Sequence, residues 1–182
     1  MIQPVSLLQK VPFTKELLPI VQEFFCGDLF WEREVSDWIK DAQNGALDEI
    51  RKDTCEVWLY ADPDGQLVGF GSLGATKWRW PTPQDSRVPL NVIPALGVNQ
   101  RFWGKPEGPR QDRYSAQILR DLIETARTHT ERRPLLGLYV HPQNLRAIRA
   151  YENAGFAPFS KTYRAYPNQP EYVSKILSLT SP

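Results

Sequence analysis

The sequence holds only two cysteines, Cys26 and Cys55, one methionine, and two histidines, His129 and His141, in 182 residues. Two thiols are too few for a disulfide scaffold, and neither stands at metal-ligand spacing from a histidine, so no metal centre is expected. Both cysteines read as small buried hydrophobes. An excess of charge is lacking as well, because 22 Lys and Arg against 21 Asp and Glu leave a formal net charge of +1. That balance excludes a broad electrostatic footprint for nucleic acid or an anionic membrane, and neither is expected as a partner. No run approaches the roughly 18 apolar residues of a membrane span, and Met1 to Lys10 lacks the charged start, apolar middle and cleavage site of a secretory signal. A cytoplasmic location is the expectation. Repeats and low-complexity segments are missing too, and the length suits one domain, 1–182, around one core.

What is present is a clear alternation of periods. Val5 to Val11 is a short β-branched run ending at Pro12, and it predicts an opening strand. Thr14 is placed to cap a helix over Lys15 to Phe25, where Leu17, Leu18, Val21, Phe24 and Phe25 share a face. Glu32 to Lys52 repeats apolar residues at helical spacing, with Asn44-Gly45 as a break. From Cys55 the period shortens, and Glu56 to Tyr60, the turn Asp62-Pro63-Asp64-Gly65 and Leu67 to Leu73 read as a hairpin. Gly69, Gly71 and Gly74 in its return strand imply a close approach, either by a neighbouring backbone or by a ligand. Leu90 to Val98, Leu135 to Val140, Phe156 to Tyr163 and Tyr172 to Leu179 complete the strands, the last two joined by the turn Pro167 to Pro170. Helices are predicted over Arg113 to Thr128 and Asn144 to Ala154, the latter closed by Gly155.

Three segments carry chemistry. In the first, Asn144, Ala147, Ile148 and Tyr151 fall at i, i+3, i+4 and i+7, so an amide and a phenol share one helical face. On the residues alone, either Asn144 caps the helix while Ile148 and Tyr151 pack on the sheet, or the phenol is presented for reaction. In the second, Pro94 interrupts Asn91 to Val98 and has no N–H to give a neighbour. That predicts a bulge or splay, or else the start of a shorter strand. The third, Gln100 to Ser115, leads through glycine into a helix N-terminus, a setting suited to pyrophosphate, although it reads equally as a solvated loop.

The stretch Leu138 to Phe156, with Asn144, the pair Ala147-Ile148, Tyr151 and the closing Gly155-Phe156, resembles the C-terminal signature of the GCN5-related N-acetyltransferase superfamily. The element order is similar to that family's fold over nearly the whole chain. The resemblance implies an α/β (α+β) fold with a mixed, mostly antiparallel central sheet of about six to seven strands, flanked by helices and splayed at its central strands. It also implies acetyl-coenzyme A as co-substrate and an amine-bearing acceptor, small molecule or protein, attacked without a covalent enzyme intermediate. The backbone of Leu96, Gly97 and Val98 would bond the pantetheine arm and polarise the thioester carbonyl. Tyr151 would be the general acid for the coenzyme A thiolate, and Asn144 would border the cofactor. Arg101, Gly104, Lys105, Gly108, Arg110, Arg113 and Ser115 would hold the phosphates. Here the chain departs from the family's pattern, because the second glycine is displaced and Pro106 and Pro109 each remove an amide donor. Asp112, if it capped the helix, would put a carboxylate where phosphate should sit.

An amine of lysine type, with a pKa of about 10.4, must lose a proton before it attacks. Glu32, Glu34, Asp85 or a water chain are the candidates to accept it, and both histidines read as surface residues. Trp78 and Trp80 either line an acceptor pocket or cover a sheet edge, and Phe30 and Trp31 are candidates for the opposite lip. The displaced glycine and the unassigned base motivate a second reading, a catalytically silent acyl-coenzyme A sensor with the same fold.

Overall fold

Aromatic and β-branched residues alternate from Cys55 to Ala61, and they form β2 (Cys55–Ala61) with Val57 and Leu59 inward and Glu56 outward. The computed structural model describes residues 8–79, 87–107, 109–129, 133–163 and 171–180. Contacts divide the chain into two units, Met1–Ser72 with Ala95–Asp121 and Leu73–Pro94 with Leu122–Pro182. Among the described residues, eight strands, β1 (Gln9–Pro12), β2, β3 (Leu67–Arg79), β4 (Arg87–Ile93), β5 (Leu96–Val98), β6 (Leu135–Val140), β7 (Ala157–Tyr163) and β8 (Tyr172–Ser178), pair in the order β1-β2-β3-β4-β6-β8-β7, with β5 on β3. All described pairs with a printed register are antiparallel except β4 with β6. The expected mixed, mostly antiparallel sheet is therefore present. It has one more strand than the sequence suggests because the run through Pro94 is cut in two.

In the first unit, β1 (Gln9–Pro12) runs antiparallel to β2, with Gln9 opposite Ala61. Residues 5–7 of the expected opening strand lie outside the described residues. The hairpin to β3 (Leu67–Arg79) turns on Asp62, whose carboxylate accepts the Gln66 amide at 2.8 Å. The helix expected to Phe25 is shorter, a 3₁₀ turn followed by α1 (Leu18–Val21). Thr14 makes no side-chain cap bond, and the chain leaves the helix so that Phe24 meets Phe70 edge-on, centroids 5.3 Å apart. The next helical stretch breaks as expected into α2 (Phe30–Lys40) and α3 (Ala46–Arg51), with Asp41 accepting the Gln43 and Asn44 amides between them. Phe13, Val21, Phe24, Ile39, Val57, Leu59 and Phe70 form the core of this unit. The Tyr60 hydroxyl donates to Asp121 at 2.6 Å and Lys10 bridges the same carboxylate at 2.7 Å, tying β1 and β2 to α4 (Tyr114–Thr128).

The second unit contains β4 (Arg87–Ile93), β6 (Leu135–Val140), β7 (Ala157–Tyr163), β8 (Tyr172–Ser178) and α5 (Leu145–Asn153). Trp78 is buried between Tyr139 and Phe159, with centroids at 4.9 Å and 5.6 Å. Gly137 makes room for it, because a Cβ there would stand 2.6 Å from the indole. Trp78 covers no sheet edge: β3 continues through it to Arg79, it pairs with Val88, and its indole is buried on the face of the sheet. Trp80 and the turn Pro167 to Pro170 lie outside the described residues.

Pro94 does interrupt a strand. Gly74 faces Val92 and Gly71 faces Leu96, so three steps along β3 match four along its partner. One extra residue is accommodated as a bulge, and β5 (Leu96–Val98) begins beyond it. The hydroxyl of Ser72 closes the irregularity, accepting the Ala95 amide at 2.8 Å and donating to the Ala95 carbonyl at 2.7 Å. Of the two readings of the glycines, backbone approach holds at Gly69, where a Cβ would stand 2.3 Å from the Gly97 carbonyl oxygen. Replacing Ser72, itself fully buried, with Ala leaves the part-buried Ala95 amide without that partner. The expected cost is about 1–3 kcal/mol, read as a lower urea midpoint at unchanged slope.

Candidate active site

The hydrogen bonds around β5 fix which of its backbone groups are offered to a ligand. Ser72 N–H donates to Ala95 O and Asn99 N–H to Val68 O. In an antiparallel ladder these bonds alternate, so Gly97, opposite Phe70, also bonds towards β3 while Leu96 and Val98 face away from it. Among the described residues β5 pairs only with β3, which leaves the N–H and C=O of Leu96 and the N–H of Val98 as an open edge. The Val98 carbonyl is already engaged, accepting the Trp103 indole N–H at 3.0 Å. Gly97 thus serves by its close approach to β3, and Leu96 and Val98 supply the outward amides.

The loop that follows turns at Gly104 (φ 75°) and returns to α4, where the Tyr114 amide donates to Lys105 O at 2.8 Å. The amides of Ser115 and Ala116 have no partner among the described residues, as expected of a first helical turn. Asp112 does not cap this helix. It ends a separate 3₁₀ turn, Arg110–Asp112, and its backbone carbonyl accepts the Gln117 side chain at 2.7 Å. The helix end is therefore free of a capping carboxylate from Asp112. Arg113 is half-buried, and its Nε is buried with no hydrogen-bond partner among the described residues. Arg101 and Arg110 are exposed, while Lys105 is held by Glu107 at 2.6 Å. Gly108 lies outside the described residues.

Asn144 and Tyr151 belong to the second unit. Asn144 Oδ1 accepts the Ala147 amide at 3.1 Å, so the capping reading of this side chain is realised. Tyr151 is 9% exposed, with its ring edge-on to Phe156 at 5.9 Å. Burial pushes its phenol up to about 12.

An open strand edge followed, through a short loop, by a helix start with unfilled amides suits an extended, phosphate-bearing ligand. Residues 21–156 match the acetyltransferase (GNAT) family. The chain belongs to that family. No curated protein matches this acyltransferase. Among solved structures, a chimera of spermidine N-acetyltransferase SpeG from Vibrio cholerae and hSSAT is 12% identical, with 96% of each chain covered and a TM-score of 0.65. A mutant of the toxin AtaT, bound to the C-terminus of the antitoxin AtaR and acetyl-CoA, is 11% identical, with 94% of this chain and 93% of that one covered and a TM-score of 0.64. Arabidopsis thaliana NAA60, in complex with a bisubstrate analogue, is 16% identical, with 94% and 97% covered and a TM-score of 0.59. At these identities the likeness establishes the fold.

The proposed bases fare unevenly. Glu32 is buried and its Oε2 accepts the Leu29 amide at 3.1 Å, which makes it the capping carboxylate of α2. Glu34 is exposed, and Asp85 lies outside the described residues. His141 is not a surface residue. At 6% exposure its Nδ1 accepts the Gln143 amide at 3.2 Å and its ring stands edge-on to Tyr172, in the turn from β6 to α5. His129 is half-buried. Phe30 is exposed and Trp31 half-buried. Sequence reasoning missed Ser72, the Trp103 indole and buried Lys175, which reaches Glu152 at 2.8 Å and ties α5 to β8. Only Trp103, an indole directly before a glycine in the loop that follows β5, offered a signal.

The raised Tyr151 pKa gives a pH test. An unfolded tyrosine ionises near 10, so the contribution of this ring is intact below about pH 10 and is lost as pH rises towards about 12. Tyr151→Phe should lose less stability than the parent across that interval, measured as urea unfolding at stepped alkaline pH.

Proposed function

We propose that this acyltransferase moves an acetyl group from acetyl-coenzyme A to an amine of an acceptor, small molecule or protein, with residues 1–182 acting as one catalytic domain. The observation that carries the reading is the open edge of β5, with outward N–H groups at Leu96 and Val98, in a chain of the acetyltransferase (GNAT) family. The arm bonds that edge as an added strand would, and one outward N–H polarises the thioester carbonyl. The pyrophosphate takes the Ser115 and Ala116 amides. Arg113, with its unpartnered Nε, and the exposed Arg101 and Arg110 supply charge. Lys105, Gly104 and Gly108 complete the loop around it.

In the reaction the neutral amine attacks the thioester carbon, the C–S bond breaks, and the thiolate takes a proton from Tyr151. The phenol is protonated at neutral pH with or without burial, and burial, which pushes it up to about 12, makes it the weaker donor, so the proton leaves it only to a strongly basic thiolate. Solvent returns that proton to Tyr151. The proton shed by the amine leaves through water, since Glu32 is committed to capping α2. The silent-sensor reading draws on Pro106 and Pro109, which withhold two amides from the phosphate loop.

Acetyl-coenzyme A should raise the melting temperature more than adenosine diphosphate does, because the open edge binds only the former. Tyr151→Phe should lower turnover by about 10²- to 10⁴-fold while acetyl-coenzyme A still binds. An unchanged rate would remove Tyr151 from the mechanism. Binding without any turnover across an amine screen would favour the sensor.

A further inference from the structure

We infer that Trp103 is a positioning residue that sets where the acetyl-coenzyme A arm ends on β5 and holds that edge in register with the phosphate-binding start of α4. This rests on the acetyl-coenzyme A reading above. Four backbone groups of β5 face away from β3, and the indole N–H of Trp103 takes the last of them, the Val98 carbonyl, at 3.0 Å. The indole therefore stands where the next donor of an added strand would bond. An arm laid on this edge finds three groups and then meets the ring.

The ring has little freedom to leave. Its Cη2 lies against the backbone at Gly27, where a Cβ would stand 3.0 Å from the indole and 2.0 Å from Glu32 Oε2. Gly27 also adopts φ 132°, which a side chain rarely tolerates, so glycine is what allows the indole to rest there. The Trp103 amide donates to Gln100 O at 3.0 Å, and the Gln100 amide to Phe25 O at 2.7 Å. One residue on, Gly104 turns the chain, and Lys105 O receives the Tyr114 amide at 2.8 Å. A short run of bonds thus connects the end of β5, through Trp103, to the first turn of α4. Both ends of the ligand are gauged against one side chain.

Trp103→Phe removes the N–H and keeps an aromatic, though smaller, side chain at this position. The parent and the variant are titrated with acetyl-coenzyme A and with adenosine diphosphate, and their kinetics are compared. Losing this part-buried hydrogen bond should raise Kd and KM for acetyl-coenzyme A by about five- to tenfold. Affinity for adenosine diphosphate should hold within about twofold, and the change should fall on KM for acetyl-coenzyme A rather than on kcat. Equal losses for both ligands would make Trp103 a mere scaffold of the loop, and no loss for either would overturn its role outright. A parent protein that binds no acetyl-coenzyme A would instead overturn the functional reading itself. Should the variant not fold, the parent still decides by indole N–H exchange. Protection of the Trp103 proton persists on binding if the indole is the stop, and its release on binding overturns the inference.

Discussion

One extra residue in a strand is the constraint on which the candidate site depends. A ladder without it would carry β4 straight into β5, and Pro94 would sit in paired sheet with no N–H to give. With it, the mismatch between Gly74 opposite Val92 and Gly71 opposite Leu96 is taken up locally, and Ser72 supplies from a side chain the bonds the backbone has lost. The ladder resumes with Gly97 turned to β3, which leaves Leu96 and Val98 turned outward. An edge with unspent N–H groups is ordinarily a liability in a sheet, and here it is short and ends at an indole.

The start of α4 in the first unit follows a related logic. Asp112 is drawn into its own 3₁₀ turn, and the first turn of α4 keeps two amides unspent. The side chains nearby divide between those already committed, such as Lys105 on Glu107, and those with capacity left, such as Arg113. Two prolines reduce the number of donors in the loop, so in the proposed binding mode the helix end carries the greater share of anion recognition.

Much of this was legible in the sequence because it rests on period and punctuation. The alternation in Cys55–Ala61, the turn at Asp62 to Gly65 and the apolar run Leu135–Val140 each gave the right element. Pro94 announced an interruption, as a bulge or splay or as the start of a shorter strand, because its missing N–H is a covalent fact. Less legible were features set by partners distant in sequence. The helix after Thr14 stops early because Phe24 is needed against Phe70, 46 positions later. The burial of His141 depends on Tyr172, and that of Trp78 on Tyr139, Phe159 and the space above Gly137. Asn144 read correctly as a cap because its partner is three residues away.

The two thiols acquire a meaning in this light. Each turnover of the proposed reaction releases a soluble thiol, a potential partner for mixed-disulfide formation with any accessible cysteine. Cys26 is buried and spends its proton on the Glu32 carbonyl, and burial pushes the thiol of Cys55 up to about 12, far from the reactive thiolate. In the folded protein neither thiol is thereby presented as a ready partner for the by-product of the proposed reaction.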